Sequence, residues 1–452
     1  MARASHTKST RTPHRPTRAP ANPGWRAKVR MYRQGLRDCF LVSLPRAGSR
    51  PYSIMIDCGV ILGTPADGRR PQMKEVVDNI VATTQGEIDL LVVTHEHWDH
   101  VSGFVQAKES FRPLKVHALW LAWTEDPEHE LARKLRRERD AALSALRLGL
   151  SQLQLAGAKG AVEIAGVLEF LGAAKGTSTS DALAHARSLV RKPRYCLPAE
   201  APTELPDVGA RIYVLGPPPC EKRLRKIRPS MREKETYGLG LEALPLFMAG
   251  IGAALEGGDA GRPFDRKFEI PKSTAARLPF FRDHYCNDDR RRIEGDWLMG
   301  IPDIALQLDS LTNNTSLVLA IELADGDVLL FAADAQVGNW LSWQDLAWPV
   351  GGRTVTGPDL LNRTILYKVG HHGSHNATLR HYGLELMKRL RVAMLPVDEE
   401  MAKRKGWTQM PLPELVTALE QRASGGVLRV DRPSPVKKEQ VIEDRLFFEV
   451  VF

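Results

Sequence analysis

Leu90-Leu91-Val92-Val93-Thr94-His95-Glu96-His97-Trp98-Asp99-His100 is the stretch that decides how the rest of the chain is read. Its first four residues are wholly apolar, the composition of a short strand buried on both faces. Directly after it, three histidines and an aspartate fall within six residues. Side chains on an extended backbone alternate with period two, so His95 and His97 point the same way and can share one cation. Asp99 and His100, in the following turn, are then aimed at a second position nearby. Imidazoles and carboxylates suit borderline divalent ions such as zinc, manganese or iron. The plain alternative is a polar loop rich in histidine by chance. It fits poorly with only 13 histidines in 452 residues.

Two later clusters fit the same centre. Asp334 follows the apolar run Val328–Ala333, where a carboxylate is costly to bury unless it is paired or metal-bound. A single-atom bridge between two cations is the reading preferred over a turn or helix-cap aspartate. His371-His372 follows the strand-like Thr364–Val369 and lies between Gly370 and Gly373, which let backbone approach a site closely. One histidine of the pair is expected to ligate the second cation, and the other to bind substrate or orient a ligand. The sequence leaves open which does which. Asp99 is a candidate to orient or deprotonate the attacking water. Past the pair, Ser374, His375 and Asn376 are candidates to donate to a phosphoryl or carbonyl oxygen. A helix-cap role for Ser374 is the competing reading.

Working outward, ordered sequence begins near Trp25. Ala27–Tyr32, Cys39–Leu44 and Tyr52–Asp57 read as strands, and Lys74–Thr84 as a helix. From about Thr124 the composition turns charged and Ala/Leu-rich. Glu128–Gln154 and Ser180–Val190 have amphipathic helical spacing. Residues 124–300 are therefore expected to be a largely helical insertion, with a return to strand at Arg211–Leu215. Ser316–Leu323 and Asp327–Ala332 read as a hairpin around Ala324-Asp325-Gly326. Val392–Val397, Gly426–Val430 and Leu446–Phe452 read as strands and Leu412–Arg422 as a helix. The class is mixed α/β: one domain over residues 25–452, preceded by a disordered basic tail over residues 1–24.

That tail explains the net charge of +9. The first 36 residues hold nine basic side chains and no acid, so residues 37–452 carry 54 of each sign. A nucleic-acid partner remains open through the tail but finds no support in the charge of the body. Five scattered cysteines, none in C-x-x-C spacing, point to a reducing, cytoplasmic setting. No stretch reaches the roughly 18 apolar residues of a membrane span. The nearest, Gly238–Gly257, is interrupted by Glu242, Pro245 and Glu256.

The H-x-H-x-D-H run, the strand-end Asp334 and the strand-end histidine pair together resemble the metallo-β-lactamase superfamily. Met55-Ile56-Asp57-Cys58-Gly59 resembles that family's early strand and D-x-G turn. Gln34-Gly35, Asp38, Asn314-Thr315-Ser316-Leu317-Val318-Leu319 and Lys368-Val369-Gly370-His371-His372-Gly373-Ser374 resemble the competence-protein (ComEC-type) nuclease branch. The Lys-x-x-His-His-Gly pattern also resembles the teichoic-acid phosphorylcholine esterases. The resemblance spans roughly Lys28–Trp120 and Ile301–Val397. It implies a four-layer αββα sandwich with two divalent cations, zinc first and manganese second. It also implies a hydroxide bridged between those cations, and His95, His97, Asp99, His100, Asp334, His371 and His372 as the metal-binding set. The sequence departs from the pattern at Ala333, where Gly is usual, and at Gly406–Pro411, where a late Gly-His-Pro is absent. It also lacks a recognisable further histidine ligand; His117, His129, His185 and His284 are the candidates.

The function implied is hydrolysis of a phosphodiester or phosphomonoester in a small-molecule or nucleotide-like anionic substrate. A carboxyl-type hydrolase of esters, lactones or lactams is the second expectation. A metal-binding sensor or scaffold without turnover is the third. The helical insertion is expected to shape access to the metals.

Overall fold

Short runs rich in apolar residues recur through both halves of the chain, and the strands follow those runs. The structure, a computed structural model, describes residues 24–60, 71–155, 168, 178–205, 207–227, 267, 270–275, 277–286, 308–404, 407, 409–435 and 441–452. It is mixed α/β, with two large sheets. Strands of the first half are β1 (Lys28–Tyr32), β2 (Phe40–Leu44), β3 (Tyr52–Ile56), β4 (Leu90–Val93), β5 (Leu119–Ala122), β6 (Arg194–Cys196), β7 (Thr203–Leu205) and β8 (Ala210–Gly216). The second half adds β9 (Val318–Glu322), β10 (Val328–Phe331), β11 (Thr364–Lys368), β12 (Val392–Leu395), β13 (Val427–Arg429), β14 (Val441–Glu443) and β15 (Phe447–Val451). The eight-stranded sheet runs β14-β15-β1-β2-β3-β4-β5-β6, and the seven-stranded sheet runs β13-β12-β11-β10-β9-β8-β7.

The alternation sorts side chains into three apolar clusters. Val29, Met31, Val42, Ile54 and Val92 of the first sheet share one cluster with Val214, Leu319, Ile321, Phe331 and Met394 of the second. The first sheet's opposite faces, including Leu41, Met55, Leu91 and Leu121, pack with Val76, Val77 and Ile80 of helix α1 (Met73–Thr84). On the second sheet, Val318, Leu330 and Tyr367 pack with Trp340, Trp343, Leu415 and Leu419. The last two belong to helix Pro413–Arg422. Each large buried side chain contributes roughly 1.5–3 kcal/mol, so these clusters hold the sheets rigidly enough to aim side chains from their ends.

The span 124–300 contributes to both sheets as well as helices. Helices α2 (Trp98–Val101), α3 (Glu130–Leu155) and α4 (Thr179–Ser188) follow α1 in order. Beyond α4, β6 pairs in parallel with β5, and β8 pairs with β9 in the second sheet. Strand β5 is all apolar and buried like β4. The basic tail through residue 23, Gly238–Gly257 and Arg290–Arg292 lie outside the described residues. Among the described residues, no helix is long and apolar enough to cross a membrane.

Strands β4, β10, β11 and β12 run parallel to a neighbour, and their carboxyl ends meet. The Leu317 amide donates to the Thr94 carbonyl at 2.9 Å, joining the start of β9 to the residue just after β4. The carboxyl ends of parallel strands are where open α/β sheets gather ligand-binding side chains.

Candidate metal centre

Past β4 the backbone stays extended through His97 and then closes into the single helical turn of α2. That turn carries Asp99 and His100, both fully buried. Gly59 packs directly under it: a Cβ there would lie 1.5 Å from the Asp99 carbonyl oxygen. Only glycine permits that approach. Asp334 follows β10, and His372 follows β11.

Asp99, His100, Asp334 and His372 each offer one ligand atom, all within 4.8 Å of one another, and all four side chains are buried. His100 Nε2 lies 3.2 Å from Asp334 Oδ2 and 3.6 Å from Asp99 Oδ2. Donor atoms on one tetrahedral cation with ~2.1 Å bonds sit about 3.4 Å apart. The His100–Asp334 approach lacks hydrogen-bond alignment, and His100 Nε2, Asp334 Oδ2 and Asp99 Oδ1 have no hydrogen-bond partner. Buried polar atoms are nearly always satisfied, so His100 Nε2 and Asp334 Oδ2, unsatisfied and 3.2 Å apart in a buried cluster, are what a cation would complete.

The other nitrogen of each imidazole is held from behind. His100 Nδ1 lies 2.7 Å from Asp57 Oδ2, and Asp57 also accepts from the Thr94 amide and hydroxyl. His372 Nδ1 donates to the Pro396 carbonyl at 2.8 Å, leaving Nε2 2.7 Å from Asp99 Oδ2. His95 Nδ1 faces the hydroxyls of Thr94 and Ser316, and its Nε2 lies 3.1 Å from His97 Nδ1. Such partners fix tautomer and ring direction in metal sites. Asp38, Asp57 and His100 also approach one another closely. Asp57 there orients His100, while Asp38 pairs with Lys368.

Asp334 presents one oxygen only. Its Oδ1 accepts from Lys368 Nζ at 3.2 Å and from the His371 amide at 3.0 Å, so Oδ2 alone faces the cluster. Lys368 also donates to the Ala333 carbonyl. Four residues around this point have left-handed backbone: Asp57, Ala333, His371 and His372, with φ of 56°, 48°, 39° and 51°. Left-handed non-glycine residues concentrate where a site dictates side-chain direction.

The adjacent histidines separate. His372 joins the cluster, whereas His371 points away, with Nδ1 2.7 Å from Ser374 Oγ and Nε2 3.2 Å from Asn313 Nδ2. Ser374 donates to Asn376, which donates to Gln336. Ser374 and Asn376 are thus tied to His371 and stand apart from the four-group cluster. His375 is half-buried and outside it. Of the further histidines, His117 is exposed against Glu87, His129 packs on Trp123, His185 on Phe111, and His284 is exposed beside Phe280. None of these four joins the cluster.

Asp309 and Asn313 had no motif to flag them. Asp309 is buried, accepts from Asn313 Nδ2 at 3.0 Å, and lies 3.7 Å from His97 Nε2 and 3.9 Å from His371 Nε2. Their four-residue spacing on a helical turn was the available signal. Asn314, quoted above for its resemblance, is a structural clamp: it donates to the Leu224 carbonyl and accepts from the Gln336 and Asn339 amides.

The electrostatics favour bound positive charge. Asp38, Asp57, Asp99, Asp309 and Asp334 are buried together, with Lys368 the one ammonium among them in the described residues. Burial lowers His100, but Asp334, Asp99, Asp38 and Asp57 outweigh it and hold the imidazole well above its usual range. Burial raises Asp334, and His100 and Lys368 overcome that to hold it well below. Asp309 is pushed well above by burial, with Asp99 and Asp334 adding to it. Burial drives His95 well down, His97 to about 4 and His371 to about 3. These three are neutral at pH 7, the form that ligates metal. The residues therefore fit a divalent cation. Neither a family model, nor a curated protein, nor a solved structure matches the chain.

Proposed function

We propose that the chain is a metal-dependent hydrolase of phosphoester bonds with the four-layer αββα architecture of the metallo-β-lactamase superfamily. Helices pack outside each sheet and one apolar cluster lies between the sheets, which supports that layering. The observation that carries the functional reading is the burial together of Asp99, His100, Asp334 and His372, each offering a ligand atom within 4.8 Å of the others, with His100 Nε2 and Asp334 Oδ2 3.2 Å apart and neither hydrogen-bonded.

Asp99, His100, Asp334 and His372 would hold one cation, and His95 and His97 would serve a second. Zinc, or else manganese, suits this nitrogen and oxygen set. When bound, such ions bring a water toward ionisation near neutral pH and screen an anionic substrate. The chain's own groups do the rest. Asp99 keeps Oδ1 free of hydrogen bonds as an acceptor for a water proton. Lys368 and the His371 amide keep Asp334 from turning. Asp57 and the Pro396 carbonyl keep His100 and His372 aimed. Retention of a full carboxylate and imidazole set favours turnover over a purely binding role.

The test uses full-length protein stripped of metal and reloaded with zinc or manganese. Hydrolysis of a chromogenic phosphodiester or phosphomonoester is expected, lost on chelation and in Asp334→Ala. A protein that cleaves only carboxyl esters, lactones or lactams overturns the phosphoester assignment. Fewer than one tightly bound ion per chain overturns the metal centre itself.

A further inference from the structure

A cavity of about 460 Å³ is lined by Glu96 and His97, in the segment that leads from β4 to the cluster, and by helix α3. Its volume falls within the roughly 300–1,000 Å³ of small-molecule pockets. Arg136, Arg139 and Arg147 line it from α3, and Arg187 from α4. The α3 arginines recur at three- and eight-residue steps, the spacing that puts side chains on one helix face. Ser178, Thr179 and Ser180, the cap and first turn of α4, complete the wall. First-turn amides have no acceptor within their own helix and favour anions.

The acids on the same wall have assigned partners. Glu96 pairs with Arg139, Asp140 lies 3.3 Å from Arg139, and Glu125 lies 3.2 Å from Arg187. Asp181 is consumed by the capping box with Ser178. Arg136 differs: its Nη2 is buried without a hydrogen-bond partner. Buried Glu125 faces the Arg136 charge without meeting that nitrogen, and a phosphate matches the planar fork left open in a cavity rimmed by further arginines.

We infer that this cavity binds a second, non-scissile phosphate group of a small substrate whose scissile phosphoester lies at the metal centre. The inference rests on the phosphoesterase reading above and names its substrate class, a compact molecule with two phosphate-type groups. Arg136 and Arg147, with the first turn of α4, would take the second group while His97 marks the boundary with the first.

Two measurements test it on the full chain. The first is calorimetric binding of inorganic pyrophosphate to metal-depleted protein, wild type against Arg136→Gln and Arg147→Gln. A loss of about ten- to hundredfold in affinity is expected for Arg136→Gln, the scale of a charge-assisted hydrogen bond. The exposed Arg147→Gln guards against a folding defect and should weaken binding in the same direction. The second is the ratio of KM values for a chromogenic phosphodiester with and without an additional terminal phosphate. Wild type should favour the phosphate-bearing compound, and the double variant should lose that preference. Equal pyrophosphate binding in wild type and variants, with no KM preference, overturns the assignment. If no phosphoester is turned over, the phosphoesterase reading falls, and pyrophosphate binding alone decides whether the cavity is an anion site.

Discussion

The two ends of the β9–β10 hairpin bury carboxylates in opposite ways. At the turn end, Glu322 accepts from Arg363 through Oε1 and from Tyr213 and Arg211 through Oε2. Burial raises it, but Arg363, Tyr213 and Arg211 outweigh burial and hold it below its usual range. At the open end, Asp334 has one oxygen anchored and the other facing Asp99 and His100 with no hydrogen bond. Both carboxylates are buried, and both carry negative charge. The turn end is closed by side chains and the open end is not. A buried carboxylate with its guanidinium in place is architecture; one held among buried acids and histidines, with an oxygen free of hydrogen bonds, marks a place for a cation.

Matched carboxamide substitutions break that contrast most sharply. Asp334→Asn keeps the shape and removes the charge at the open end. Activity with metal should fall by about a thousandfold or more, since ~4 kcal/mol of charge stabilisation is at stake. Bound metal measured by elemental analysis should fall with it. Glu322→Gln makes the same change at the turn end. It should cost about 2–3 kcal/mol in chemical denaturation and leave metal content unchanged. The expected cost is below the range for fully enclosed pairs, because Arg211 and Arg363 retain some contact with water. Metal loss in the Glu322 variant, or full metal occupancy in the Asp334 variant, would erase the distinction.

Asp309 sharpens it from the side. It too is buried, yet its one hydrogen bond is from Asn313 and its nearest basic atoms are on His97 and His371. If it steadies His97 from behind, as Asp57 steadies His100, Asp309→Asn should weaken metal binding by about 10–100-fold. A titration of metal against a competing chelator reads this directly. An unchanged dissociation constant would make Asp309 a bystander.

The pH dependence should separate the metal-free and metal-loaded protein. His100 is held high in the metal-free chain, so its stabilisation is complete below about pH 6.5 and is lost as pH climbs through its folded value. Asp99 and Asp334 are held low, so their contributions are already complete above about pH 4. Metal binding must displace the His100 proton, so affinity strengthens over the range where the metal-free chain weakens. Thermal unfolding from pH 7 to 9 should show stability falling with pH in the metal-free protein and nearly level in the zinc-loaded protein. Parallel slopes would remove His100 from the metal-binding set.

How much of this was legible in the sequence depends on distance along the chain. His95, His97, Asp99 and His100 could be read because six consecutive residues and a period of two define their directions. Asp334 and His372 could be read as strand-end residues, but the choice between His371 and His372 depended on two successive left-handed residues that no pattern announces. Most strands of both halves followed from alternation or a short apolar run, but β5 and β14 were not read. Strands β6 and β7, only three residues each, carried too little of either to be seen inside a charged, helical span. Asp309, the Arg211–Glu322–Arg363 group and the arginine wall of α3 were illegible for one reason. Each is defined by partners brought together from distant segments, and the residues themselves look like ordinary surface polarity.

The smallest effect concerns Ala333, the residue just before Asp334. Its φ of 48° puts an L-residue with a side chain where glycine is at ease. It stays there because its carbonyl accepts from Lys368 and from the His371 amide, both of which also hold Asp334 Oδ1. Moving Ala333 out of that region would turn Asp334 away from the cluster. The strain is therefore the cost of pointing Oδ2 at the metal positions, and glycine would remove it without moving the backbone. The left-handed penalty is roughly 1–2 kcal/mol, and glycine returns part of it through greater freedom in the unfolded chain. Ala333→Gly should therefore stabilise the protein by at most about 1 kcal/mol and leave metal affinity as it is. A loss of metal affinity instead would show that the alanine methyl, packed against its buried surroundings, is what steers Asp334.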